Sequence, residues 1–250
     1  MRLMKSGLFL ATPLLLAAAL ASAEPVTVSW RDKPPYYYLE DGIAKGFMLD
    51  YAKEVFATAG IEAQFVHEPQ KRIWARFADG TRNYCSLSWY RMPEREALAQ
   101  YSLPVYTDPP HTVLVAPAAL ERVRAHATLA SLMADPGLTL AVIDGVSYGP
   151  ELDARIRQSA NQVMRRTVPT TNMIQMLAAG RASYMLADRN DWNHLRTRSK
   201  QVASLAQYDV PDLPPGLKRH IVCSRDVPGA VMDRLNQAIR ITAKPGTYDK

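Results

Sequence analysis

Two thiols and five imidazoles are the groups in this 250-residue chain best suited to redox or metal chemistry. Their spacing argues against both uses. Cys85 and Cys223 lie far apart, and His67, His111, His126, His194 and His220 are scattered, so no Cys/His set has ligand spacing. No metal and no cofactor are expected. The G-x-S-x-G, H-E-x-x-H and P-loop patterns do not occur. Serine, histidine and aspartate are present without a spacing that defines a triad. The remaining chemistry is recognition by charge, hydrogen bonding and aromatic faces.

The charge balance has a simple reading. The net charge is +6 and the pI about 9.3, with Arg155, Arg157, Arg165, Arg166, Arg189, Arg196, Arg198 and Lys200 giving the second half a basic tint. Nucleic-acid or acidic-polymer binding is one function such a balance permits. Solvated helix faces explain it more simply, and no nucleic-acid partner is expected.

The N-terminus directs the chain out of the cytoplasm. Arg2 and Lys5 precede an apolar run from Gly7 to Leu20, then Ala21-Ser22-Ala23. A basic start, a short apolar stretch and an A-x-A site make a secretory signal peptide. The run falls short of the roughly 20 residues of a spanning helix, although an uncleaved anchor is the other reading. Cleavage after Ala23 leaves residues 24–250 in the periplasm, where disulfides persist. Cys85 and Cys223 then read as a possible bonded pair, with two buried free thiols as the other possibility.

The elements that must position any site come in two alternating blocks. Val26 to Trp30 reads as a strand, Phe47 to Ala59 as an amphipathic helix, Ile61 to Val66 as a strand, Lys71 to Asp79 as a helix and Asn83 to Ser88 as a strand. The second block runs Leu138 to Ile143, Pro150 to Ser159, Gln162 to Val168, Thr171 to Ala179 and Ala182 to Ala187 in the same alternation. One pattern recurs, from Phe77 to Ser86 and from Leu177 to Leu186: a helix end, a glycine suited to the left-handed cap, then an apolar strand. Tyr101 to Tyr106 and His111 to Ala116 are extended, His220 to Ser224 is a strand and Pro228 to Ala243 a closing helix. Such alternation predicts an α/β fold of two lobes, each a mostly parallel sheet flanked by helices, joined by a two-stranded hinge. The expected bounds are 24–115 with 216–250 for lobe 1 and 116–215 for lobe 2. Ligands of open α/β sheets bind outside the carboxyl ends of the strands, which here means a cleft between the lobes.

Gly46-Phe-Met-Leu-Asp50, Met92-Pro-Glu-Arg95 with Tyr101-Ser-Leu-Pro-Val-Tyr106, Gly145-Val-Ser-Tyr-Gly149, Leu177 to Asp188, and Pro245-Gly-Thr-Tyr-Asp-Lys250 carry a resemblance. In this order they resemble the periplasmic solute-binding proteins of family 3, the polar amino-acid receptors of ABC importers, which have a type II two-lobed fold. The resemblance implies that Arg95 clamps a ligand carboxylate, a task suited to the planar guanidinium fork. Pairing with Glu94 or Glu96 at the surface is the plain reading of the same residue. It implies that Asp188 meets a ligand ammonium, beside an ordinary role as helix N-cap. Ser147 matches a hydroxyl residue near a helix N-terminus, and Ser86 and Ser88 match the end of the third strand. The sequence departs from the family in a short insertion within Trp89-Tyr90-Arg91 and in Asn83 and Ser183, where the family commonly has aspartate.

The segments that line the family's cleft are rich in rings here: Tyr36, Tyr37, Tyr38, Trp74, Trp89, Tyr90, Tyr106 and Tyr148. Tyr36, Trp74 and Tyr148 are counted among the candidate ligand contacts, and such rings would suit an aromatic or cationic ligand. The expected function is capture of a small polar ligand by hinge closure, by a monomer read by an ABC permease or a membrane sensor. A secreted enzyme on the same fold, such as a cyclohexadienyl or arogenate dehydratase, is the other reading. His67, Glu68 and Asp188 are its candidate acids.

Overall fold

The computed structural model describes residues 24–243, so the expected leader over 1–23 and the Gly-Thr-Tyr motif of 245–250 lie outside the described residues. The chain opens with β1 (Val26–Trp30), a hairpin of β2 (Tyr38–Glu40) and β3 (Ile43–Lys45), α1 (Phe47–Thr58), β4 (Ala63–His67), α2 (Gln70–Ala78) and β5 (Tyr84–Tyr90). A short α3 (Pro93–Glu96), β6 (Ala99–Thr107), β7 (Thr112–Val115), α4 (Leu120–Arg124) and α5 (Leu129–Met133) follow. The second alternating run is β8 (Thr139–Ile143), α6 (Pro150–Gln158), β9 (Gln162–Arg166), α7 (Thr170–Ala178), β10 (Tyr184–Ala187) and α8 (Arg189–Arg196). β11 (Ala206–Tyr208), β12 (Lys218–Ser224) and α9 (Gly229–Thr242) complete the fold.

These elements build two five-stranded sheets of the same design. The first has the order β4-β1-β5-β12-β6, the second β9-β8-β10-β7-β11. In each, three neighbours pair in parallel, the next strand is antiparallel to them, and the last is antiparallel to that one. Both sheets are therefore parallel apart from one reversed strand. The recurring sequence pattern marks the equivalent third strands, β5 and β10. Gly80 and Gly180 sit at φ 68° and 73° after α2 and α7. Their N–H groups bond Phe77 O and Leu177 O, and the next N–H groups bond Arg76 O and Met176 O. One left-handed residue thus ends each helix in the same way, and glycine takes that conformation without strain.

One expected boundary is corrected. Thr112–Val115, expected in lobe 1, is instead buried in the second sheet at all four residues, antiparallel to β10 (Tyr184 opposite Val115, Ala187 opposite Thr112) and to β11. An apolar stretch states that it will be a buried strand, while its partner depends on where the chain turns. The chain passes between the sheets at residues 108–111 and 209–217. The two segments run against each other: Asp108 N bonds Leu217 O at 2.9 Å, and a Cβ on Gly216 would lie 1.5 Å from the Asp108 carbonyl oxygen. This is the two-stranded hinge.

Each sheet has its own core. On α1, Met48, Leu49, Tyr51, Ala52, Val55 and Phe56 are buried, a helical spacing that lays one face on the first sheet and on Leu235, Ala238 and Ile239 of α9. Full burial of a side chain of leucine size stabilises by about 1.5–3 kcal/mol, so these rows fix both helices. Cys85 and Cys223 are directly opposite on β5 and β12 and form a disulfide. Among the described residues, no helix is long and apolar enough to cross a membrane.

Candidate functional site

The carboxyl ends of the parallel strands from the two sheets meet. Gln70, at the start of α2, donates to Gly145 O after β8 at 3.2 Å, and Ser147 Oγ lies 3.9 Å from Met92 Sδ before α3. The strongest bridge joins the turn after β1 to α8. Lys33 Nζ lies 2.6 and 2.7 Å from the Asp191 carboxylate and 3.3 Å from Asp188 Oδ2.

Asp188 caps α8, accepting from Asn190 N at 2.8 Å and Asp191 N at 3.4 Å. An aspartate in this place satisfies helix N–H groups that have no carbonyl partner. Its other oxygen accepts from Tyr36 OH at 2.9 Å and Arg219 Nη2 at 3.2 Å. Burial works against the Asp188 charge, but Lys33 and Arg219 outweigh it and hold its carboxyl well below the usual range. Burial pushes the Asp191 carboxyl up, against the pull of Lys33. Arg219 is itself almost wholly buried, with its guanidinium 4.4 Å from the Tyr36 ring centroid and 4.5 Å from that of Tyr90. It lies 2.8 and 2.7 Å from the two carboxylate oxygens of Asp108 in the hinge. Tyr90 donates to Asp108, and Tyr36 OH lies 2.8 Å from Asp108 Oδ1 as well, sharing its single proton between Asp108 and Asp188. Burial keeps both phenols protonated well above their ordinary value. Asn190 Nδ2 donates to Tyr36 OH and Tyr106 OH. The result is a closed charge network across the lobe boundary.

A second arrangement, centred on Trp89 at the end of β5, has a different character. The Arg31 guanidinium lies 4.1 Å from the Trp89 ring centroid, and that of Arg95 lies 5.5 Å from it. Arg95 also stacks on Trp74 at 4.4 Å, and Trp74 meets Trp89 edge-on at 5.0 Å. Burial lowers the pKa of both guanidiniums, which nevertheless stay charged. No ion pair joins either one to a carboxylate among the described residues. Asp153, across the lobe boundary, is within electrostatic reach of Arg95. Its oxygens, however, accept from Ser147 Oγ at 2.6 Å and Tyr148 N at 2.9 Å. Arg31 Nη1, Trp74 Nε1 and Ser88 Oγ are buried with no protein partner. An indole N–H and a guanidinium N–H can only donate, so this locus presents donors awaiting acceptors.

The eight residues expected at the site divide accordingly. Arg95 and Trp74 stand around Trp89, while Ser88, next to it in the chain, has a left-handed backbone, φ 62°, and a carbonyl that accepts from Arg219 Nη1 at 3.2 Å. Asp188 and Tyr36 belong to the charge network, their polar atoms already paired. Ser147 is engaged with Asp153 and Gly149 N. Two expectations are corrected. Ser86 is fully buried, donating to Ser29 O and accepting from Trp89 Nε1, so it orients the indole from inside the sheet. Tyr148 points into the second core, and its hydroxyl accepts from Ile143 N at 3.0 Å, finishing β8. Glu68, a candidate acid of the enzyme reading, is held by Arg76 at 2.7 Å and by Tyr84 OH at 2.6 Å. His67 packs its ring on Trp30 at 4.6 Å. Arg31, Lys33, Asp108, Asp191 and Arg219 were not anticipated. For Arg31 and Lys33 there was a signal, since both follow the carboxyl end of the first strand. Arg219 adjoins an apolar run that reads as an ordinary strand.

The fold agrees with what the chain resembles. Residues 26–250 match the bacterial extracellular solute-binding proteins, family 3. The structure is similar to one described with glutathione import and the cystine ABC importer of Streptococcus mutans (16% identity, 89% of this chain and 90% of that one, TM-score 0.69). It is also similar to a Salmonella typhimurium periplasmic binding protein of high arginine specificity (16%, 90% and 96%, 0.65). The arginine-, lysine-, histidine-binding protein of Geobacillus stearothermophilus is a third (15%, 89% and 91%, 0.68). No curated protein sequence matches the chain.

Proposed function

Because the chain belongs to the bacterial extracellular solute-binding proteins, family 3, we propose that it captures a small carboxylate-bearing solute between its lobes and delivers it to an ABC importer. The observation that carries this reading is Arg95: a half-buried guanidinium stacked on Trp74, beside Trp89, with no carboxylate among the described residues paired to it. A guanidinium so placed is preorganised for a carboxylate, to which it can make two parallel bonds. Lobe 1 supplies Arg95 and the indoles, and lobe 2 supplies the α6 terminus and α8. Contacts to both lobes are what let a ligand favour a closed state over an open one. The hinge at 108–111 and 209–217 is the place where that motion is absorbed. Export through the leader over 1–23 puts the protein where such solutes are met, and a monomer is enough for the task. The absence of an unengaged acid at Glu68 or Asp188 favours binding over dehydration chemistry.

A thermal-shift screen of residues 24–250 against amino acids, amines, aromatic acids and organic diacids tests this. A ligand at 100 times its Kd adds about 2.7 kcal/mol of stability. The reading expects at least one acid to raise the melting temperature, and a flat response across the panel would count against it.

A further inference from the structure

We propose that the solute carries two negatively charged groups and needs no ammonium, with Arg31 as a second anion anchor beside Arg95. This rests on the reading of the chain as a solute-binding protein.

Two guanidiniums share one indole. Arg31 and Arg95 approach the Trp89 ring at 4.1 and 5.5 Å, and the Arg31 charge adds to burial in lowering the Arg95 pKa, so they are close enough to repel. Two like charges within such reach of one ring, neither paired with a carboxylate among the described residues, are unfavourable unless anions join them. Arg31 follows the carboxyl end of β1 and lies within electrostatic reach of Asp191 on the other lobe, which places it at the lobe boundary. Asp191 itself is bound by Lys33 through both carboxylate oxygens. Arg31 Nη1, Trp74 Nε1, Ser88 Oγ and Tyr37 OH are buried without protein partners, and the first two can only donate. The site therefore offers donors and positive charge. A ligand ammonium would need a carboxylate, and the carboxylate best placed for one, Asp188, is already bound by Lys33, Arg219 and Tyr36. A cation would have to displace two protein cations there.

The test is calorimetric titration with glutarate, its monoamide glutaramate, inorganic phosphate, glutamine and arginine. It uses residues 24–250 of the wild type and of Arg31→Gln, Arg31→Lys and Arg95→Gln. Hydrogen bonds to charged groups set the scale. Wild type binds glutarate about 10- to 100-fold more tightly than glutaramate. Arg31→Gln erases that preference, while Arg31→Lys, which keeps the charge and loses the fork, retains part of it. Arg95→Gln weakens both acids. Phosphate binding as tight as glutarate, and dependent on both arginines, would assign the two charges to one phosphate-like group, still a dianion. Arginine or glutamine binding more tightly than glutarate, with Arg95 needed and Arg31 dispensable, would overturn the proposal and leave the solute-binding reading standing. Failure of every probe, or binding indifferent to both arginines, would overturn both. Melting temperatures of the unliganded variants separate loss of binding from loss of fold.

Discussion

Arg219 and Asp188 approach to 3.2 Å across the lobe boundary, although one ends up in a strand of the first sheet and the other caps a helix packed on the second. Arg219 also grips Asp108 in the hinge, so a single buried cation ties one crossing segment to α8. The guanidinium lies over the rings of both Tyr36 and Tyr90.

Removing that cation leaves two carboxylates poorly compensated. Breaking a buried ion pair from one side costs about 3–5 kcal/mol. Arg219→Met should show a loss of that order in urea unfolding of the unliganded protein, and a loss under 1 kcal/mol would mean that the network contributes little.

The Cys85–Cys223 bond joins adjacent strands of one sheet but spans 138 residues of sequence. A cross-link over so long a loop restricts the unfolded chain, with a typical stabilisation of about 2–4 kcal/mol. The Cys85→Ala/Cys223→Ala protein should melt lower than the oxidised wild type by about 5–15 °C. Reduced wild type should resemble the variant, and an unchanged melting point on reduction would contradict this.

Much of this architecture could be read from the sequence, and the reasons for the failures are specific. The row Met48, Tyr51, Ala52, Val55, Phe56 declared α1, and the glycines at 80 and 180 declared where α2 and α7 stop, because both signals are local. Sheet membership of Thr112–Val115 was not legible, since a buried strand does not name its partner. Arg95 came from motif likeness and Trp74 from the rings in segments that line the family's cleft, and the two stack at 4.4 Å. Tyr148 came from the same likeness, but its hydroxyl is needed by Ile143 N. Arg31 belongs to no motif; only folding shows that its guanidinium shares Trp89 with Arg95.

Gly216 is fitted to the hinge by its lack of a side chain. Gly216→Ala would place a methyl 1.5 Å from the Asp108 carbonyl oxygen, forcing the two crossing segments apart. Overpacking of this sort costs about 1–3 kcal/mol. The variant should be less stable by that amount in urea unfolding and should bind solute more weakly, whereas full stability would show that the crossings are not held together there.

Acid should weaken the fold through His111. Burial pushes its imidazole below its ordinary value, against the pull of Asp188 and Asp108, so the folded state binds fewer protons than the unfolded chain below pH about 6.5. Stability is therefore complete above that pH and declines as the pH falls through it. The wild type should lose stability between pH 7.5 and 5.5, and His111→Gln should lose less. His220, likewise lowered by burial, maintains part of the slope in that variant. Identical pH profiles for the two proteins would rule His111 out.

The central claim is that Arg95 holds the carboxylate of a small solute between the lobes. The direct measurement is calorimetric titration of wild type and Arg95→Gln with whichever acid most raises the melting temperature. Loss of a charge-assisted bidentate contact predicts affinity lower by about 10- to 100-fold or more, with the unliganded melting temperature little changed. Equal affinity in the two proteins would contradict the account and move the binding site away from Trp89.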